Sequence, residues 1–364
     1  MIVLQLPIVT ERWKGEKMIT ISLCMIVKNE ERVLERCLDS IKELMDEIII
    51  VDTGSTDRTK EIAKRYTEKV YDLEWRDDFS EARNYSFSKA SMEYIYVADA
   101  DEVLDEENRK RFWQLKEALL PEIDIVQMYY CNQLQYNTTY NFDKEYRPKL
   151  YKRIREFRWH DPVHESVCLE PVVFDSDISI LHLPEENHGP RDFSVFQKIW
   201  KRGEAFNKKM LQMYARELFI TGEEKDFIEA KGVFQEIFKD AGRDLEEIKV
   251  ASLVLAKSYH IENQVSDFFK YIMKDMVTEP SSEGCYELGV FYMEHQDYEE
   301  ACNWFINAME GSEAGLNILY QKEFPLGKLL DCYEILEKDA IESDNHQLAE
   351  QYQNARKNLL KQSK

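Results

Sequence analysis

The sequence predicts an α/β domain with a mostly parallel sheet, followed by an all-α domain. Three observations carry this. From Ile19 onward, short apolar runs rich in β-branched residues alternate with segments of helical spacing, the pattern of βα units. At Pro184–Arg191 (PEENHGPR) that alternation breaks, and only helical periodicity continues beyond it. The later part also repeats a helix-pair signature. A chain of 364 residues exceeds one ordinary core, which agrees with two domains. We place them at 18–190 and 191–364, with 1–17 as an N-terminal arm or the product of an upstream start.

The elements follow in order. "ITISLCMIV" from Ile19 is a continuous apolar run, as in a strand buried on both faces. "NEERVLERCLDSI" spaces Val33, Leu34, Cys37, Leu38 and Ile41 at helical intervals, with Asn29 as the expected N-cap. "EIIIVD" is a second buried strand ending at Asp52, and "TGSTDRTKEIAKRY" a turn feeding a helix capped by Ser55 or Thr56. Val70 and Tyr71 suggest a short strand, "DDFSEARNYSFSKA" a helix and "YIYVAD" the fourth strand. A helix near Glu106–Leu120, a strand at Ile123–Gln135 and a last strand ending at His182 complete the domain. Beyond it, "CYELGVFYMEHQDYEEACNWFINAME" sets small Gly289 and Ala301 opposite Tyr292 and Phe305, as close-packed antiparallel helices require. Tyr214–Phe238 and Val254–Met273 are looser copies, so about three tetratricopeptide-like helix pairs are expected to stack.

A net charge of −22 repels polyanions and argues against nucleic-acid binding. Seven cysteines, an odd number with no CxxC, read as reduced thiols of a cytoplasmic protein. No apolar run reaches the roughly 18 residues of a membrane span, and the start lacks the basic and long apolar regions of a signal peptide.

The chemistry is expected where "YIYVADADEVL" turns from buried strand to carboxylates. In sheets of this kind ligands bind beyond the C-terminal strand ends. Asp52 ends the second strand, and Asp99 and Asp101 follow the fourth, so distant segments deliver carboxylates to one edge. Carboxylate oxygens suit Mg²⁺ or Mn²⁺, and a D-x-D on a turn can divide its work between a sugar hydroxyl and the ion. Arg147, Lys149, Lys198 and Arg202 read equally as phosphate partners or as solvated faces. Trp75, Trp159 and Trp200 read as core aromatics before sugar platforms.

The blocks "CMIVKNEE", "VDTGSTDRT", "DFSEARN" and "YVADADE" occur in an order that resembles the family 2 glycosyltransferases of the GT-A fold, a Rossmann-like α/β arrangement. The resemblance covers about residues 19–183. It implies that Asp52 contacts the base or ribose of a UDP-hexose, that Arg83 and Asn84 lie against the nucleotide, and that Asp99 binds ribose or assists the metal. Asp101 would bind the metal that bridges the diphosphate. "DPVHESV" is similar to the family's acceptor-side block, which makes Glu165 the first choice for the catalytic base, Asp161 the second, and His164 an orienting group. A third metal ligand is implied at His182. Relatives often read H-x-G-Y where this chain reads "HLPEENHGP", so His188 is the alternative.

With "VHE", "ARELF" and helical repeats together, the chain resembles peptide S/O-glycosyltransferases of the glycocin (sublancin-type) bacteriocins. That resemblance implies inverting transfer of a hexose to a Ser/Thr hydroxyl or Cys thiol of a small peptide. The rival expectation is a saccharide or lipid-linked acceptor of the cell envelope. A third is an interaction protein with an inactive transferase domain. The repeats would hold either the peptide or a second copy of the chain, as a homodimer.

Overall fold

The computed structural model describes residues 18–131, 144–155, 159–160, 166–167, 171–183, 189–277 and 279–362. The chain divides into two compact units, Met1–Lys198 and Ile199–Lys364.

The described part of the first unit is built on an eight-stranded sheet. Its strands are β1 (Ile21–Val27), β2 (Glu47–Asp52), β3 (Val70–Asp72), β4 (Tyr94–Val97), β5 (Glu102–Val103), β6 (Ile125–Cys131) and β7 (Glu145–Lys152). A separate two-stranded ribbon joins β8 (Trp159–His160) to β9 (Ser166–Val167), and β10 (Val173–His182) returns to the main sheet. The order is β3-β2-β1-β4-β7-β6-β10-β5. The first four strands pair in parallel, as their βα alternation predicts. Beyond β4 the sheet is mixed: β7 runs antiparallel to β4 and β6, β10 parallel to β6, and β5 antiparallel to β10.

Helices cover the sheet, which is why the early strands are apolar throughout. On one face, Ile21, Leu23 and Met25 pack with Leu34, Leu38 and Ile41 of α1 (Leu34–Ile41) and Phe112 and Leu115 of α4 (Glu106–Ala118). On the other, Cys24, Ile49, Ile95 and Val97 pack with Phe87. Between these helices in sequence lie α2 (Thr59–Ala63) and α3 (Phe79–Lys89). Each fully buried aliphatic side chain contributes about 1.5–3 kcal/mol. The caps of α3 and α4 are Asp78 and Asp105, each accepting from a backbone N–H three residues on.

Two expected caps are different residues. Helix α1 begins only at Leu34, after Val33, with no side-chain cap. Asn29 sits at φ +57°, and its Oδ1 accepts from Thr56 N (2.8 Å). Helix α2 starts after Arg58; Asp57, rather than Ser55 or Thr56, accepts from Thr59 N (3.0 Å). Here side chains lace one loop to another, a use of Asn and Asp that competes with capping.

The boundary between units falls within α5 (Gly189–Lys201). The second unit continues with α6 (Lys208–Thr221), α7 (Glu224–Lys239), α8 (Leu245–Ile261), α9 (Val265–Met276), α10 (Ser282–Glu294), α11 (Tyr298–Ile306), α12 (Glu323–Glu342) and α13 (His346–Gln362). The expected pairs are α6/α7, α8/α9 and α10/α11. In the last, a Cβ on Gly289 would lie 2.5 Å from the Phe305 ring, so only glycine admits this approach. Leu288, Ala301, Phe305 and Ala308 are buried as the repeat pattern requires. Helices α12 and α13 form a fourth pair, with Tyr333 and Tyr352 6.0 Å apart. No helix among the described residues is long and apolar enough to cross a membrane.

Candidate active site

Strand β2 ends at Asp52, which is 1 % exposed. Its Oδ1 accepts from the backbone N–H groups of Gly54 and Ser55, both at 2.9 Å. Gly54 has φ +100°, a conformation side chains other than glycine's adopt poorly. Lys60 Nζ lies 3.5 Å from the same oxygen, while Oδ2 is buried with no hydrogen-bond partner among the described residues. The loop around Asp52 is tied to the loop after β1: Asn29 N donates to Ser55 Oγ (2.9 Å), Glu30 N to Thr59 Oγ1 (2.7 Å) and Glu31 N to Asp57 Oδ2 (3.1 Å). These bonds fix the walls beside a carboxylate that keeps one oxygen uncommitted.

The turn after β4 carries Asp99, Asp101 and Glu102 within four residues. Arg83 of α3 donates to Asp99 Oδ1 (2.8 Å), with its guanidinium 5.3 Å from the centre of the Trp159 ring. Burial would raise the Asp99 carboxyl, but Arg83 and then Lys149 outweigh it and hold it at about 2. Asp101 is 8 % exposed, and its Oδ2 lies 3.0 Å from His182 Nε2 at the end of β10. The backbone helps seat this contact: Leu183 N donates to Asp101 O (3.0 Å), and His182 stands opposite Glu102 in the β10–β5 ladder. Glu102 is 2 % exposed, its Oε1 2.5 Å from Lys149 Nζ of β7. Burial pushes Glu102 up to about 7, with Lys149 opposing and Asp99 and Asp101 adding to the rise.

The structure therefore brings Asp52, Arg83, Asp99, Asp101 and His182 to the strand-end edge. Of the three expected metal ligands, Asp101 and His182 face each other and Asp99 faces Arg83. Among the described residues no group of three or more His, Cys, Asp or Glu is arranged to hold a metal ion. Asn84, expected against the nucleotide, bonds the backbone of Trp159: Nδ2 donates to Trp159 O (2.9 Å), and Trp159 N donates to Oδ1 (2.7 Å). Trp159 is thus held both at its ring, by Arg83, and at its main chain. Glu165, Asp161, His164 and His188 lie outside the described residues. Lys149 pairs with Glu102, and Lys198 Nζ with Asp77 (2.6 Å).

The Glu102–Lys149 pair was missed in the sequence as a site feature. Its one signal was a third carboxylate in "DADE", with the lysine of "YRPKLYK" far downstream.

The donor set fits a nucleotide-bound Mg²⁺ or Mn²⁺, which takes one or two protein ligands and completes its shell with phosphate oxygens and water.

Comparison with known proteins gives the following likenesses. A TPR repeat-containing protein of Synechococcus elongatus is 49% identical over 90 residues, 25% of this chain and 22% of that protein. The SPbeta prophage-derived glycosyltransferase SunS of Bacillus subtilis is 30% identical over 225 residues, 58% of this chain and 52% of SunS. The chain spans about half or less of the length of these curated relatives. A crystal structure of glucosyl-3-phosphoglycerate synthase from Mycobacterium tuberculosis in complex with Mg²⁺ and UDP is 16% identical. It covers 52% of this chain and 81% of that one, at a TM-score of 0.37. The family model described as glycosyl transferase family 2 matches residues 22–169, so the segment that holds Asp52, Arg83, Asp99 and Asp101 is a glycosyl transferase family 2 domain.

Proposed function

We propose that the protein is an inverting, metal-dependent glycosyltransferase that moves a hexose from a UDP-sugar to a Ser/Thr hydroxyl or Cys thiol of a small peptide. The observation that carries this is the convergence of Asp52, the Arg83–Asp99 pair and the Asp101–His182 pair on one strand-end edge of a family 2 domain. An orphaned buried oxygen on Asp52 supports a ligand there, because an unpaired buried acceptor costs about 1–3 kcal/mol.

In this reading Asp52 Oδ2 accepts a hydrogen bond from the base or ribose of the donor. Asp101 and His182 hold Mg²⁺ or Mn²⁺, which when bound offsets the diphosphate charge and stabilises it on departure. Asp99 keeps Arg83 extended across Trp159. Glu165 takes the acceptor's proton as its oxygen or sulfur bonds to the sugar C1, and UDP leaves with the electron pair of the broken C–O bond. Asp161 is the alternative base, and His164 orients the acceptor. A thiol acceptor needs less help, since its pKa is about 8.5. The stacked helix pairs offer either the groove for an extended peptide or a homodimer surface. We place the protein in the cytoplasm, where nucleotide sugars and reduced thiols coexist.

The test is incubation of the full chain with a panel of UDP-hexoses, Mn²⁺ and Cys- and Ser-containing peptides, read by mass spectrometry. A hexose mass gain on a peptide, lost in chelator, is expected. Transfer only to saccharide or lipid-linked acceptors, or donor turnover indifferent to chelator, contradicts the proposal.

A further inference from the structure

We propose that Glu102 keeps the acidic turn open to a divalent cation by holding the buried Lys149 ammonium away from Asp99 and Asp101. This rests on the reading that Asp101 and His182 take Mg²⁺ or Mn²⁺.

The placement of the pair is unusual for the sheet. Strand β5, which carries Glu102, is an edge strand, and β7, which carries Lys149, stands three strands further in. In a flat sheet they would be about 14 Å apart. The 2.5 Å contact between Lys149 Nζ and Glu102 Oε1 therefore requires the sheet to curl, so that the turn arches over the strand ends. Both side chains are buried, at 5 % and 2 % exposure. Glu102 Oε2 has no hydrogen-bond partner among the described residues, so this side chain does not serve there as a hydrogen-bonding hub for the core.

The charges are partitioned. Arg83 faces Asp99, Lys149 faces Glu102, and Asp101 faces the imidazole of His182. A buried ammonium cannot stay unpaired, because the desolvation cost is too large. Lysine is also a compact charge on a flexible stem with three donors, able to turn to whichever carboxylate is near. Lys149 meets Glu102, the residue next to Asp101, so it already stands beside the D-x-D. Without Glu102, the D-x-D carboxylates are the next ones along the turn among the described residues, and a lysine seated there occupies the charge that the metal needs. Glu102 is thus a positioning residue that favours a metal ion over an internal cation.

The test uses the full chain at about pH 8, with calorimetric titration of Mn²⁺ in the presence of UDP and of UDP alone in chelator. E102Q is expected to weaken Mn²⁺ binding by at least about tenfold while metal-free UDP binding holds or tightens. K149M is expected to hold or tighten Mn²⁺ binding, and E102Q/K149M to restore it to the wild-type level. A purely structural pair gives a different pattern: each variant weakens Mn²⁺ and UDP together, and that result overturns the proposal. Unchanged Mn²⁺ affinity in folded E102Q overturns it as well. If E102Q does not fold, K149M and the double variant decide by the same signs. Wild-type protein that binds no Mn²⁺ with UDP removes the metal reading and the proposal together. Wild-type binding with an indifferent E102Q removes the proposal alone.

Discussion

Each unit of the chain buries a cluster of charge, and the two clusters are finished differently. In the helical unit, Lys257 donates to Glu287 Oε1 (2.8 Å) and Tyr320 OH (2.9 Å), with the rings of Phe219 and Phe227 about it. Glu287 Oε2 lies 3.3 Å from His260 Nδ1, and His260 Nε2 is 3.1 Å from Glu294. Burial alone would raise Glu287, yet Lys257 and His260 hold it at about 2. Each of these titratable atoms has a partner, so the network needs nothing from outside. In the sheet unit, Asp52 Oδ2 and Glu102 Oε2 are buried without hydrogen-bond partners among the described residues, and three carboxylates crowd one turn. Under the proposed function, the contrast separates a cluster that holds a fold together from one that is held ready for a ligand.

The comparison can be broken from either side. Asp101→Ala should have the largest effect, a loss of Mn²⁺-dependent UDP-sugar turnover by at least about 100-fold. Its melting temperature should hold or rise, because a carboxylate has left a crowded turn. A variant that keeps activity but melts early would make the turn structural. Lys257→Met should do the reverse, costing about 3–5 kcal/mol by stranding buried Glu287. Denaturant melts of the full chain would show it, and an undisturbed transition would mean the network is ornamental. Gly289→Ala comes next. Driving a methyl into the Phe305 ring costs about 1–3 kcal/mol, against roughly 1 kcal/mol gained from helix propensity, so a small net loss is expected. A stabilised variant would show that Phe305 swings away at no cost.

The smallest effect is a pH dependence in the helical unit. Burial would lower the His260 pKa, but Glu287 and Glu294 outweigh it and raise it above its ordinary 6.5. A raised folded value means that the stability His260 adds is complete below 6.5 and is lost as pH climbs through the raised value. The wild-type melting temperature should therefore fall across that window, and His260→Gln should flatten the profile. A flat wild-type profile would contradict the network's charge state.

Much of this was legible in the sequence where chemistry is local. Asp52, Asp99 and Asp101 follow apolar runs that only a covered strand explains, so their shared edge follows from βα alternation. Gly289 and Phe305 are spaced as neighbouring helices demand, and a Cβ clash confirms their contact. What was hidden depends on strands far apart in sequence. Glu102 meets Lys149 only because β5 joins β10 at the edge and the sheet curls, which no periodicity encodes. Asn84 was expected beside Arg83 against the nucleotide through the family resemblance, and its hold on Trp159 could not be read from that. On a helix adjacent residues point about 100° apart, and Asn84 turns to the backbone of Trp159. The fourth helix pair escaped because α13 is mostly polar and exposed, with little apolar stripe to read.

The most direct test of the central claim is anomalous diffraction at the manganese edge from crystals grown with Mn²⁺ and UDP. One anomalous peak in contact with Asp101 and His182, adjoining the diphosphate, is the expected result. UDP bound at this edge with no manganese beside Asp101, or manganese seated elsewhere, would contradict it.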